Sequence, residues 1–273
     1  MSWDPVRQRV LLFGGDNGGA RGDTWEYDSS TSTWTQRATT GPAARTYSCM
    51  VFDTARSVTV LFGGYINNTQ QGDTWEWDGT TWTRRLPTTS PPARWFYGCW
   101  FDQARGKVNI FGGSTVPGTV VGDVWEYDGT TWSQRTLTGG PVSSQHSVAY
   151  DPTRQRMVLF GGYNPNIPNV GTWELGTTWM QVSPANPPSG TYGASVVFDP
   201  PSGRVVMVGG ISTTAPPAAN AWSYDGSSWT TLSSNIGPRS HGGMVFDSVR
   251  GKLIHYGGIT TSTSTTVAET WEY

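Results

Sequence analysis

Val60-Leu61-Phe62-Gly63-Gly64 is followed, after a loop, by Asp73-Thr74-Trp75-Glu76-Trp77-Asp78-Gly79-Thr80-Thr81-Trp82. An apolar run ends on two glycines; then come Asp-x-Trp-Glu-aromatic, a turn and a second Trp. The chain makes this statement six times. Its double glycines fall at Gly14-Gly15, Gly63-Gly64, Gly112-Gly113, Gly161-Gly162, Gly209-Gly210 and Gly257-Gly258, at spacings of 49, 49, 49, 48 and 48 residues. An Asp stands eleven residues before each second glycine: Asp4, Asp53, Asp102, Asp151, Asp199 and Asp247. Two markers held in register across every unit define a repeat protein.

Within a unit the spacing predicts four strands. Strand A runs from Tyr47 to Asp53, with counterparts from Phe96 to Asp102 and from Gly242 to Asp247. Strand B is the apolar run into Gly-Gly, as in Val108-Asn109-Ile110-Phe111. Strand C is the Asp-x-Trp-Glu-Tyr segment, at Asp23, Asp73 and Asp123 and in looser form at Gly171, Asn220 and Glu269. Strand D carries the second Trp: Trp34, Trp82, Trp132, Trp179 and Trp229. Asp78-Gly79, Asp128-Gly129 and Asp225-Gly226 suit hairpin turns, because Asp and Gly tolerate positive φ. Capped period-3.6 patterning is absent, so helix is not expected. Four antiparallel strands per unit of this length is the arithmetic of a six-bladed β-propeller, an all-β fold. Strand A of the first blade and strand D of the sixth have no full counterpart in the sequence. One domain is expected over 1–273, with repeats at about 1–41, 42–90, 91–139, 140–187, 188–236 and 237–273.

Composition narrows the function classes. Of 273 residues only 14% are charged and the formal net charge is −2, which argues against nucleic acid as a partner. Fifteen Trp and 13% aromatic residues make rings the main core material, and 35 Gly and 18 Pro suit many turns. No apolar run is long enough to span a membrane, and no signal peptide stands at Met1. Three His without His-x-His, and no Cys-x-x-Cys, give no metal or cofactor signature. Cys49 and Cys99 lie in neighbouring repeats one place out of register, since Arg45 aligns with Arg94. Adjacent strand residues face opposite ways, so two packed thiols are expected rather than a disulfide.

Hydrophobics, Gly-Gly and spaced aromatics ending in Trp resemble the kelch repeat, and the wording Leu-Phe-Gly-Gly … Asp-Thr-Trp-Glu-Tyr-Asp-Gly-Thr-Thr-Trp is similar to bacterial kelch proteins, many of them exported. The resemblance covers the whole chain. It implies a kelch propeller and an extracellular or cell-surface location. It leaves activity open, since such propellers include sugar oxidases, an epimerase and interaction modules.

With strands alternating in direction, the B–C and D–A loops share one face. The B–C loops, Asp16 to Gly22, Tyr65 to Gly72, Ser114 to Gly122, Tyr163 to Val170, Ile211 to Ala219 and Ile259 to Ala268, vary most, and variable loops on a rigid frame are where binding concentrates. The D–A loops add Arg45, Arg94 and Arg239; Ser143 and Thr191 hold that slot elsewhere. The resemblance implies that such arginines line a channel mouth, where they meet acidic peptides. The alternative is that they hold their own loops by hydrogen bonds. Beside them lie Tyr47, Trp95, Phe96, Tyr97, His146, Tyr192 and His241. In Trp95-Phe96-Tyr97 adjacent rings on a strand must point both ways, so at least one faces the rim, where a sugar or peptide can stack; core packing between blades is the competing role. Glu26, Glu76, Glu126, Glu174 and Glu272 form a quasi-ring, expected to pair with Arg37, Arg85 or Arg135 rather than to act as acids. Arg21-Gly22-Asp23 spells an adhesion tripeptide, but the repeat accounts for Asp23. Asn67-Asn68-Thr69 is a glycosylation sequon on a loop, and Gly14 to Gly19 lacks the helix and Lys of a phosphate cradle. The leading expectation is a module that binds a protein, peptide or carbohydrate; the rivals are a sugar enzyme of epimerase type and a structural segment of a larger surface protein.

Overall fold

The structure is a computed structural model, and it describes residues 1–116, 118–166, 171–212, 221–260 and 264–273. Among these residues there is no helix. Each repeat folds into one antiparallel sheet whose strands follow chain order. The second repeat shows the pattern: Cys49–Asp53, Val58–Ile66, Thr69–Trp77 and Trp82–Arg85. The sixth sheet has three strands, Gly243–Asp247, Lys252–Tyr256 and Thr270–Glu272. The chain divides into two compact units. Residues 1–136 with 247–250 make the first, and 137–246 with 251–273 the second. The turn at Asp247 joins the first unit through the Ser29 hydroxyl, which donates to the Asp247 carboxylate, and through Trp3 Nε1, which donates to Ser248 Oγ at 3.0 Å.

The repeat's marker residues turn out to be the joints between successive sheets. The Gly64 amide donates to the Arg94 carbonyl of the next repeat at 3.0 Å; Gly15 does the same to Arg45 at 3.0 Å, Gly162 to Thr191 at 2.9 Å and Gly210 to Arg239 at 2.9 Å. Gly63 has φ +56°, and a Cβ there would stand 2.8 Å from the Arg94 oxygen, so no other residue fits. The second Trp is the next joint. Trp82 Nε1 donates to Thr24 Oγ1 of the preceding repeat at 2.8 Å, Trp132 to Thr74 at 3.0 Å and Trp229 to Thr172 at 3.3 Å. The same rings pack on the strand-B Phe of the preceding sheet, with Phe62 and Trp132 centroids 5.1 Å apart. Trp132 and Trp229 are each only 1% exposed, which makes them large contributors to inter-sheet burial.

The Asp-x-x-Arg turn adds a third joint. Asp53 Oδ1 accepts from the amides of Ala55 and Arg56 and so closes the A–B turn. Arg56 then bridges Asp53 and Glu76 of its own sheet and lies over the Tyr127 ring of the next, 5.1 Å from its centroid. Arg154 repeats this with Asp151, Glu174 and Tyr224.

Two expectations need correction. Strand A starts later than the alternation implies, at Cys49, Gly98 and Gly243, because Tyr47, Phe96 and His241 take left-handed φ of 55°, 56° and 58°. A residue in that region breaks the pleat. The second correction is the cysteines: Cys49 and Cys99 form a disulfide, with Cα atoms 6.1 Å apart. The parity argument runs the other way between stacked sheets. One residue must leave its sheet toward the next repeat and its partner must leave the opposite face of that next sheet, so an odd register offset is what lets them meet.

The bridge joins residues 50 apart in sequence. Chain-entropy reasoning assigns such a loop about 4 kcal/mol. Reduction, or a Cys49→Ala/Cys99→Ala double variant, is therefore expected to lower unfolding free energy by up to about 4 kcal/mol in urea melts, with no thiol titratable in the unreduced native protein.

Candidate functional site

Residues just after the D–A loop and just after Gly-Gly pair within one repeat. Thr46 bridges Tyr65, Trp95 bridges Ser114, Ser144 bridges Tyr163, and Thr191–Tyr192 pairs with Ile211–Ser212. The two loop classes expected to share a face are thus hydrogen-bonded to each other in each of these repeats. In the second repeat the B–C loop is a continuous ribbon that turns at Asn67 and Asn68, both with positive φ. Residue 117, 167–170, 213–219 and 261–263 of the other B–C loops, and Asn220 of strand C, lie outside the described residues.

This pairing gathers four rings in the first unit. Tyr65 and Trp95 stack with centroids 4.2 Å apart and planes 12° apart. Trp95 and Phe96 stack at 4.4 Å, and Tyr47 lies 4.1 Å from Phe96 and 5.6 Å from Trp95. Tyr47 is 39% exposed, and Tyr65, Trp95 and Phe96 are half-buried. Adjacent rings join one cluster because Phe96 is left-handed and does not alternate. Such a conformation at Tyr and Phe is unusual and persists where its surroundings enforce it, a pattern found at binding sites. Burial, and after it the nearby Asp16 charge, raises the Tyr47 phenol above its ordinary pKa, so it stays protonated and able to donate. Tyr65 donates to Asn68 Oδ1 at 3.4 Å. Tyr65 was not among the candidates read from sequence; its signal was its place directly after Gly64, opposite the residue that follows Arg45.

Tyr97 leaves this cluster. It is 7% exposed, donates its hydroxyl to the Phe62 carbonyl and accepts from the Cys49 amide at 3.1 Å. Tyr192 and His241 meet at 6.4 Å in the second unit, and His146 is buried at 7% exposure.

The three arginines are held within the frame. Arg45 is 1% exposed; its Nη atoms reach the two Asp73 oxygens at 2.6 and 2.9 Å, Nη1 also reaches the Gly63 carbonyl at 2.8 Å, and Nε donates to Ala43 at 3.0 Å. Arg94 repeats the clamp on Asp123, Gly112 and Pro92. Arg239 reaches Glu269, Gly257 and Gly237. The geometry supports the loop-holding alternative for all three. Burial pushes the Asp73 carboxyl up, but the Arg45 and Trp75 hydrogen bonds outweigh it and leave the pKa lowered. The glutamates pair as expected with strand-D arginines, Glu26 with Arg37 at 3.1 Å and Glu76 with Arg85 at 2.7 Å, and also with the turn arginines. Among the described residues no group of three or more His, Cys, Asp or Glu is placed to hold a metal.

Residues 3–169 match the family model of the KLHDC2/KLHL20/DRC7 Kelch-repeats domain. A solved structure titled "Structure of YjhT" superposes with a TM-score of 0.76 at 14% identity, covering 94% of this chain and 92% of that one. At that identity the likeness concerns the fold, a six-bladed propeller. The comparison with curated sequences found no match.

Removing one partner of a buried ion pair strands the other charge. Arg45→Ala or Asp73→Asn is expected to cost about 3–5 kcal/mol of stability, read by chemical denaturation. Loss of a ligand affinity with stability intact would instead give Arg45 a binding role. His255 supplies a pH test. Burial, and then the Arg239 charge, lowers its pKa to about 4, against about 6.5 unfolded. The folded state then holds fewer protons than the unfolded between those values, so this contribution is complete above pH 6.5 and fades as pH falls to 4. Melting temperatures should fall over that window, with a shallower slope in His255→Gln.

Proposed function

Because the chain belongs to the kelch-repeat family, as a six-bladed propeller of a kind that serves generally in binding, we propose that it binds its ligand on the ring cluster of Tyr47, Tyr65, Trp95 and Phe96. The observation that carries this is the Tyr65–Trp95–Phe96–Tyr47 stack at a loop surface, with two of its members in left-handed conformation. Partly exposed rings on a rigid frame offer contact area with little ordering entropy, and they favour ligands with flat, weakly polar faces. Asp16, Asn68 and the two phenols supply polar rim groups. A pyranose ring or a proline-bearing extended peptide meets this description. Arg45, Arg94 and Arg239 are left out of the contact set, since their donors are taken. His146, Tyr192 and His241 are kept as a second, weaker contact set in the other unit. The Cys49–Cys99 bridge supports an oxidising compartment, and with it an exported protein.

A glycan array and a library of proline-bearing peptides identify the ligand class. Trp95→Ala is then expected to weaken binding roughly 30-fold, about 2 kcal/mol, and Tyr47→Ala by several-fold, while Tyr97→Phe leaves affinity unchanged. Equal affinity in Trp95→Ala and Tyr47→Ala would refute the platform.

A further inference from the structure

Asn17-Gly18 is the one Asn-Gly pair of the chain, and Asp78-Gly79, Asp128-Gly129 and Asp225-Gly226 are its Asp-Gly pairs. All four offer the same reaction. The glycine nitrogen can close a ring on the side-chain carbonyl before it, because glycine has no Cβ to obstruct the closure. The structure separates them. In the three Asp-Gly turns the carboxylate is engaged. Asp78 Oδ1 accepts from the Thr80 and Thr81 amides at 2.7 and 2.8 Å, Asp128 Oδ1 from those of Thr130 and Thr131 at 2.8 and 2.9 Å, and Asp225 Oδ1 from those of Ser227 and Ser228 at 2.9 and 2.8 Å. The Ser227 amide, and after it the Ser228 amide, hold the Asp225 carboxyl below its ordinary pKa, and the Thr131 amide does so for Asp128. A carboxylate kept ionised in this way is a poor acceptor for a nucleophile. Asn17 is placed differently. Residues 16–21 of its B–C loop are all exposed. The base of the loop is tied: Asp16 bridges Ala20, Asp16 Oδ1 accepts from the Gly19 amide at 3.1 Å, and the Arg21 amide donates to the Gly15 carbonyl at 2.9 Å. Among the described residues neither the Asn17 carboxamide nor the Gly18 amide has a hydrogen-bond partner. Gly18 has φ +73°, and a Cβ there would meet nothing within 4 Å. Arg21 Nη2 donates to the Asn17 backbone carbonyl at 3.3 Å.

We propose that Asn17 is a site of covalent modification, at which the Gly18 amide displaces the side-chain nitrogen and water then leaves a carboxylate, with Arg21 assisting. The Gly18 nitrogen gives its proton to hydroxide and attacks Asn17 Cγ. A C–N bond to Gly18 forms, the bond to the side-chain nitrogen breaks, and ammonia leaves with a proton taken from water. Water then opens the five-membered imide at one of its two carbonyls. One opening gives an aspartyl residue at position 17; the other gives an isoaspartyl residue, whose backbone runs through the side-chain carbon. Nothing is oxidised or reduced. Loss of the Gly18 proton places negative charge on the Asn17 backbone oxygen, through the resonance that makes the peptide planar. The Arg21 guanidinium stands on that oxygen, where the charge develops. The product sets a second carboxylate beside Asp16, whose charge already acts on the Tyr47 phenol. This inference does not rest on ligand binding by the ring cluster, and the two can fail separately.

The folded protein is incubated in heavy-oxygen water at neutral pH, digested and mapped by mass spectrometry. Isoaspartate is scored by electron-transfer fragmentation and by methylation with a protein isoaspartyl methyltransferase. The peptide that carries Asn17 should exchange its amide for an acid bearing one heavy oxygen, as a mixture of aspartyl and isoaspartyl forms. It should do so before any other Asn converts, while the three Asp-Gly pairs keep their normal linkage. Asn17→Gln should abolish the conversion. Arg21→Gln should slow it about threefold in the folded protein, the size expected of one exposed charge, and should leave the rate nearly unchanged in the reduced chain in urea. That variant should fold, because the Arg21 backbone carbonyl still receives the Arg45 amide at 2.9 Å. Four outcomes overturn the proposal: Asn17 intact over a period in which the isolated peptide 15–22 converts, another Asn converting first, product without heavy oxygen, or an equal rate in folded Arg21→Gln.

Discussion

The hydrogen bond from the Gly64 amide to the Arg94 carbonyl, and its equivalents at Gly15, Gly162 and Gly210, sets the terms for the rest of the molecule. It ties the end of one sheet's second strand to the lead-in of the next sheet, so close that a Cβ on the glycine before it (Gly14, Gly63, Gly161 or Gly209) would stand 2.0–2.8 Å from the next repeat's carbonyl oxygen. Once backbones are that close, the Trp of the following repeat must lie against the strand-B aromatic or aliphatic residue of the preceding one, and its indole N–H meets the strand-C Thr. The arginine of the D–A loop is then carried to the glycine carbonyl and the strand-C acid. Remove the contact and the ion pair, the ring packing and the loop pairing all lose their geometry. A protein with only 14% charged residues buries Arg45, Arg94 and Arg239 in these joints.

Function follows from what the joints leave over. The frame consumes the arginines, the glutamates and the second tryptophans, and it consumes them in nearly every repeat. The rings that escape are those next to left-handed residues, where the chain has not yet entered strand A. Tyr47 and Phe96 reach the loop surface because the backbone there is not pleated, and Trp95 stacks on Tyr65 because the two loop classes are bonded to one another. The loop-surface rings and the frame are therefore separate populations of residues, although they alternate within a few positions of the sequence.

Much of this was legible in the sequence. Six Gly-Gly pairs at near-constant spacing gave the number of sheets, and Asp-Gly pairs gave the hairpins, because both depend on backbone conformations few residues tolerate. The pairing of Glu76 with Arg85 was readable from repetition. Other features were hidden by their physics. Left-handed φ at Tyr47, Phe96 and His241 has no compositional mark, since Gly193 is the one member of that series that advertises it. The disulfide was misread because strand parity was applied as if both cysteines sat in one sheet. Tyr65 was passed over because its ring partner lies 30 residues away, in a contact that exists only after two loops have paired.

The disulfide acquires a further meaning from its place. Cys49 lies two residues beyond Tyr47, and Cys99 three beyond Phe96, so the one covalent cross-link in the chain splints the two segments whose rings make the cluster. Rings on separate sheets would ordinarily drift against one another as the sheets breathe. Here that motion is restricted before any ligand arrives, and the entropy of bringing the rings together is lost during folding rather than on binding. A surface prepared this way can hold a small, weakly polar ligand with few contacts, and it does so through a bond that an oxidising environment makes and a reducing one removes.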